Sequence, residues 1–103
     1  MRVLFTKDFE KDFKKLPIHI KRKIKEINES FELVSNFDDY NNNNLEKLST
    51  NDNSLLYRYK IGNYRLGLSL ENDEEGEIIS FEVIKTRGEI YKFFPPSDKK
   101  RKK

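Results

Sequence analysis

Apolar residues along the chain follow first a helical and then a strand period. Arg2 to Phe5 is a short β-branched and aromatic run that predicts a first strand. Thr6 is suited to cap the helix that follows, with Asp8 in its first turn facing the helix dipole. Phe9, Phe13 and Leu16 then recur at helical spacing until Pro17 ends the pattern. Pro17 is also suited to the first position of a second helix, whose apolar stripe is Ile20, Ile24, Ile27, Phe31 and Val34. Two amphipathic helices joined at a proline predict a helical hairpin with one buried face.

The periodicity stops at Ser35. The stretch SNFDDYNNNN reads as a mobile loop, Leu45 to Leu48 as a short turn packed back on the core, and Asn51 to Ser54 as loop again. Alternation resumes in Leu55 to Ile61 and in Tyr64 to Leu70, and Ile78 to Ile84 is rich in β-branched residues. Gly62-Asn63 suits a two-residue hairpin turn, and the acidic NDEEGE segment joins the second of these strands to the third. Gly88 to Phe94 predicts one or two helical turns before Pro95-Pro96. The expected order is β-α-α-β-β-β with a short C-terminal helix. This is an α+β fold, a helical hairpin packed on a small, mostly antiparallel sheet.

A chain of 103 residues supports one domain, taken as residues 1–96, followed by a basic, disordered tail at 97–103. Only 35% of residues are hydrophobic, but eight Phe and five Tyr give the small core dense anchors. There is no cysteine and a single histidine, His19, read as a surface residue. That excludes disulfides, thiol nucleophiles, Cys- or His-based metal sites and a two-histidine nuclease mechanism, so no metal or cofactor is expected. No apolar run approaches the roughly 20 residues of a membrane span, and the N-terminus lacks the pattern of a signal peptide. A soluble, cytoplasmic protein is expected.

The charge distribution sharpens this picture. The formal charge of +3 falls to −2 when the five cations of the KKRKK tail are set aside. Residues 71–82 carry six acids and no base, whereas residues 58–66 carry Arg58, Lys60 and Arg65 and no acid. A focused positive patch on a nearly neutral body points to a specific anionic site. The acids at 71–82 match several positions of a calcium loop, but without helical flanks they read as a solvated turn. The tail reads as an added, salt-sensitive source of RNA affinity.

With Gly62 and Asn63 as the turn, Ile61 faces Tyr64, Lys60 faces Arg65, Tyr59 faces Leu66 and Arg58 faces Gly67. Tyr57, Tyr59, Ile61, Tyr64, Leu66, Leu68 and Leu70 then share the face that covers the helices. Arg58, Lys60, Arg65, Gly67 and Ser69 share the other. Two cations directly opposite weaken a hairpin, and a bridging phosphate would reward them. Lys85 and Arg87 close the last strand nearby. A helix from Gly88 would bring Arg87 and Tyr91 onto one face.

The runs YRYKIGNYRLGLSLE and ISFEVIKTRGEIYKFFP, preceded by FEKDFKKLP and LEKL, resemble the RelE/ParE superfamily of bacterial type II toxins from Phe5 to about Pro95. The resemblance implies a toxin with a cognate antitoxin. RelE-like members enter the ribosomal A site and cut mRNA with strand lysines and arginines and a C-terminal tyrosine. Carried over by position, this implicates Lys60, Arg65, Arg87 and Tyr91 as catalytic. Arg58, Lys60, Arg65, Lys85 and Arg87 would bind phosphate. The chemistry would be a metal-free attack of the ribose 2′-OH on the adjacent phosphorus, with Lys60 and Tyr91 as base and acid in either order. ParE-like members share the fold and act on DNA gyrase without catalysis, and a decayed toxin would bind RNA or a partner only.

Overall fold

A computed structural model describes residues 1–49 and 55–95; the expectations for Asn51 to Ser54 and for the basic tail lie outside the described residues. Strand β1 (Arg2–Phe5) leads into helix α1 (Lys7–Lys14), where the Thr6 hydroxyl accepts the Phe9 N–H at 3.0 Å. Helix α2 (Ile18–Glu32) follows, with Pro17 at its N-cap rather than inside its first turn. Strands β2 (Leu45–Lys47), β3 (Leu55–Ile61), β4 (Tyr64–Asp73) and β5 (Gly76–Thr86) complete the sheet, and α3 (Ile90–Phe93) ends the described chain.

The strand order is β1-β5-β4-β3-β2, antiparallel except for the parallel pair of β1 with β5. The α+β architecture is the expected one, and the β3–β4 register matches the expected pairs from Ile61↔Tyr64 to Arg58↔Gly67. Gly62 takes φ +56° at the first central position of that turn, a conformation that costs a residue without Cβ little. Three local expectations need correction. Leu45–Lys47 is an edge strand, not a turn, because its backbone pairs with β3 from Leu45↔Tyr59 to Lys47↔Tyr57. The segment after Ser35 contains a 3-10 turn, Phe37–Asp39, which buries Phe37 and lets Tyr40 stack on Phe31 at 4.1 Å between ring centroids. The acidic stretch is not a separate link: β4 and β5 extend through it to a tight hairpin at Gly76.

The main core lies between the helical hairpin and one sheet face, where Phe9, Ile24, Phe31, Tyr59, Leu66 and Phe81 are buried. Burial of each large apolar side chain contributes about 1.5–3 kcal/mol. The Tyr59 hydroxyl sits 3.2 Å from that of Tyr40, and burial first, then this hydrogen bond, raises its pKa far above the ordinary tyrosine value. A second, smaller core lies on the opposite sheet face. There Leu56, Val83, Ile90 and Phe94 pack together, so α3 covers the middle of the face that alternation alone leaves open.

Beyond Phe5, strand β5 has no strand neighbour on its outer side among the described residues, and α1 takes that place. The Thr6 N–H donates to the Phe81 carbonyl, the Thr6 hydroxyl donates to the Glu82 carbonyl, and the Ile84 N–H donates to Asp12 Oδ2 at 3.1 Å. Helix α1 thus satisfies the edge of β5 with side chains, which buried backbone groups require. At the same level β5 carries a bulge. Gly67 pairs with Val83 but Leu68 with Phe81, so Glu82 is the extra residue and Val83 turns beneath α3.

Candidate active site on the α3 face

Two adjacent rows of the sheet build the site. One row is Lys60 on β3, Arg65 on β4 and Lys85 on β5, directly registered across three strands. Neighbouring strands lie about 4.8 Å apart, so the three backbones span roughly 10 Å. The next row is Arg58, Gly67 and Val83. Helix α3 crosses this second row and leaves the first uncovered on one side.

The position of α3 depends on Gly67. A Cβ built there would lie 2.7 Å from the Phe94 ring, so only glycine lets Phe94 seat against β4. With Phe94 and Ile90 buried, the outer side of the helix is fixed. Tyr91 then lies over β3, where the Arg58 guanidinium carbon is 4.9 Å from its ring centroid. Arg58 is only 15% exposed, and its Nη2 donates to Glu46 Oε1 at 3.2 Å. Tyr91 as a whole is 70% exposed.

The candidate residues differ in how far their charges are already matched. Among the described residues, Lys60 and Arg65 pair with no carboxylate. The Arg65 guanidinium folds back on the turn, donating through Nη1 to the Gly62 and Tyr64 carbonyls, each at 2.8 Å. This contact sets the guanidinium charge against two carbonyl oxygens of the turn. Lys85 is different. Its ammonium is 2.8 Å from Asp12 Oδ1 and 4.3 Å from the Phe93 ring centroid, held between α1 and α3. Of the cations expected to bind phosphate, Lys85 is thus one whose charge is already matched within the protein.

Arg87 also sits differently from the expectation. Helix α3 begins at Ile90, so Arg87 belongs to the preceding turn and shares no helical face with Tyr91. Its N–H donates to the Asn63 carbonyl at 2.9 Å, which ties the end of β5 to the β3–β4 turn, and its side chain is exposed. Arg65 and Arg87 are thereby both placed at the turn end of the sheet. Tyr91 meets Arg58 instead of Arg87.

The other end of this face is acidic. Glu82 Oε2 accepts the Ser69 hydroxyl at 2.8 Å. Burial pushes the Glu82 carboxyl above its ordinary value, with Glu71 and Asp8 adding to the rise and the Ser69 hydrogen bond opposing it. At the distal hairpin Asp73 pairs with Arg2, whose hydrogen bond is the largest cause of its lowered pKa. The face is therefore polarised along the strands, cationic at the Gly62 turn and anionic towards Gly76. Sequence reading missed Glu46, Asp12, Phe93 and Phe94. Only the helical spacing of Asp12 beside the apolar positions of α1 hinted at an inward-facing carboxylate.

Three comparisons bear on this arrangement. Residues 3–91 match the family described as ParE toxin of type II toxin-antitoxin system, parDE. Toxin RelE3 of Methanocaldococcus jannaschii is 36% identical over 95 residues, covering 92% of this chain and all of that protein. Among solved structures, the RelB-RelE antitoxin-toxin complex from Methanococcus jannaschii aligns with a TM-score of 0.63 and 33% identity, over 89% of this chain and 99% of that one. The archaeal RelE-RelB complex from Pyrococcus horikoshii OT3 also gives 0.63, at 25% identity over 84% and 94%. The chain belongs to the RelE/ParE superfamily of toxins from type II toxin–antitoxin systems.

Proposed function

We propose that this chain is a ribosome-dependent mRNA endoribonuclease held in check by a cognate antitoxin. The observation that carries this reading is the meeting of an exposed phenol with three cations on one sheet face. Tyr91 stacks on Arg58, and Lys60 and Arg65 face each other one row away without carboxylate partners among the described residues. In this reading Arg65, with Arg87 at the same end, holds the non-bridging oxygens of the scissile phosphate and stabilises the charge that builds on them. The ribose 2′ oxygen forms a bond to phosphorus as its proton passes to the base, and the bond to the 5′ oxygen breaks as that oxygen gains a proton. Tyr91 and Lys60 are the two groups available for these transfers. The products are a 2′,3′-cyclic phosphate and a 5′-hydroxyl end. The antitoxin partner is supported by the two RelB-RelE complexes that share this fold.

The test is addition of the purified chain to ribosomes programmed with a defined mRNA, with the new ends mapped. Cuts within A-site codons, absent from free RNA, are expected. A second reading is favoured by the match to the ParE family: a gyrase poison would leave that mRNA intact and trap gyrase-cleaved plasmid.

A further inference from the structure

The edge strand β2 sets a carboxylate beside the candidate site. Glu46 lies opposite Arg58 in the β2–β3 register, and Arg58 in turn lies under the ring of Tyr91. The backbone of β2 is pinned at both ends. The Lys60 N–H donates to the Asn44 carbonyl at 2.9 Å, and the Leu48 N–H donates to the Leu56 carbonyl at 2.8 Å. Leu48 also packs against the smaller core beneath α3. From this fixed strand, Glu46 Oε1 accepts Arg58 Nη2 at 3.2 Å, and among the described residues it is the one carboxylate paired with Arg58. A guanidinium can donate through its edge and stack through its face, so one arginine can serve Glu46 and Tyr91 together. Tyr91 is 70% exposed, and Arg58 is the platform beneath it.

We propose that Glu46 is a positioning residue for the cleavage reaction: it ties down Arg58 as the platform of Tyr91 and withdraws that cation from phosphate binding. The inference rests on the nuclease reading above and adds a residue to it. Two forces act on an untied Arg58. Lys60 lies two residues along β3 on the same face, roughly 7 Å away along the strand, and repels it. A backbone phosphate at the cationic row would draw it out as a further ligand. Either motion takes the guanidinium from under Tyr91 and leaves the phenol free to turn. The Glu46 carboxylate opposes both, because it matches the charge and holds the geometry. The Arg58 side chain is 15% exposed against 53% for Glu46, so a change at Glu46 releases Arg58 without opening the core.

The test is Glu46→Gln in the full chain, with a thermal melt to show that it is folded. Single-turnover cleavage is followed on mRNA-programmed ribosomes, and affinity for a short single-stranded RNA is measured across a salt series. Fluorine NMR of fluorotyrosine-labelled protein reports Tyr91, whose signal is assigned by its loss in Tyr91→Phe. The cleavage rate at saturating ribosomes is expected to fall roughly 10- to 100-fold, as a misplaced reacting group predicts. RNA affinity is expected to rise by about fivefold at roughly 0.1 M salt, with one more phosphate contact in its salt dependence. The Tyr91 signal moves towards that of free fluorotyrosine. Adding Arg58→Met removes the released cation and abolishes the gain in RNA affinity, while the cleavage rate stays low. A wild-type rate and Tyr91 signal in Glu46→Gln would overturn the inference and leave the nuclease reading intact. A lost rate with the Tyr91 signal and RNA affinity unchanged would also overturn it, by making Glu46 a group that acts on the reacting atoms. Rate and affinity that fall together with the melting temperature would reduce Glu46 to a structural partner and overturn it as well. A wild-type chain that leaves mRNA on ribosomes intact would defeat the nuclease reading and the inference with it.

Discussion

Gly67 and Phe94 fit together so closely that a single added carbon at Gly67 would stand 2.7 Å from the Phe94 ring. This contact sets the height of α3 above β4, and through α3 it sets Tyr91 above Arg58. Gly67→Ala therefore forces the buried Phe94 ring outward. A cost of about 1–3 kcal/mol is expected for overpacking, read as a lowered melting temperature. Cleavage by the folded fraction should also fall, because the ring of Tyr91 moves with the helix.

Asp12 holds two groups at once, the Ile84 N–H and the Lys85 ammonium. Asp12→Ala leaves a backbone donor unsatisfied and a cation unmatched, which should destabilise the fold by about 2–3 kcal/mol in chemical denaturation. Lys85→Met keeps the stem near Phe93 and should cost about 1 kcal/mol. Because Asp12 already matches its charge, cleavage by Lys85→Met should stay within about fivefold of wild type, far from the loss expected for a transition-state contact.

Arg65→Ala removes a cation that points along the turn, together with its two carbonyl contacts. Those contacts are at the surface, so stability should change by less than about 1 kcal/mol. Cleavage should fall by roughly a hundredfold or more if the guanidinium stabilises the transition state. Melts and ribosome cleavage on the same preparation separate the two effects.

The Glu82 carboxyl provides a pH test of the acidic end. Its pKa is raised in the folded state above the ordinary 4.5, chiefly by burial, so the folded protein binds the proton more tightly than the unfolded chain does. Stability from this group is present below 4.5 and is lost as pH rises through the folded value. Glu82→Gln keeps a hydrogen-bonding partner for Ser69 and carries no charge. Its melting temperature should match wild type in acid and exceed it near neutrality. Parallel pH curves for the two proteins would count against burial of a charged Glu82.

Much of this arrangement is legible from alternation alone. The Gly62-Asn63 turn sets the β3–β4 register, and with it the opposition of Lys60 to Arg65 and the apolar face from Tyr57 to Leu70. What escapes the sequence are contacts made between distant segments. Glu46 stands in a three-residue edge strand too short to carry a period, so its pairing with Arg58 has no local signal. Lys85 reads as a free cation until α1 brings Asp12 alongside the edge of β5. The bulge at Glu82 shifts Val83 to the α3 side, which simple alternation assigns to the main core. Arg87 and Tyr91 separate because α3 starts three residues after Arg87, leaving Tyr91 to Arg58.

Tyr91→Phe keeps the ring on Arg58 and, at 70% exposure, leaves no buried polar group unpaired; it deletes only the hydroxyl. Single-turnover cleavage of mRNA on programmed ribosomes is the direct measurement, with a melt to show that the variant is folded. Proton transfer by Tyr91 predicts a loss on the order of a hundredfold or more at unchanged stability. A folded Tyr91→Phe protein that cuts at the wild-type rate would contradict the assignment of this face as a tyrosine-dependent nuclease site.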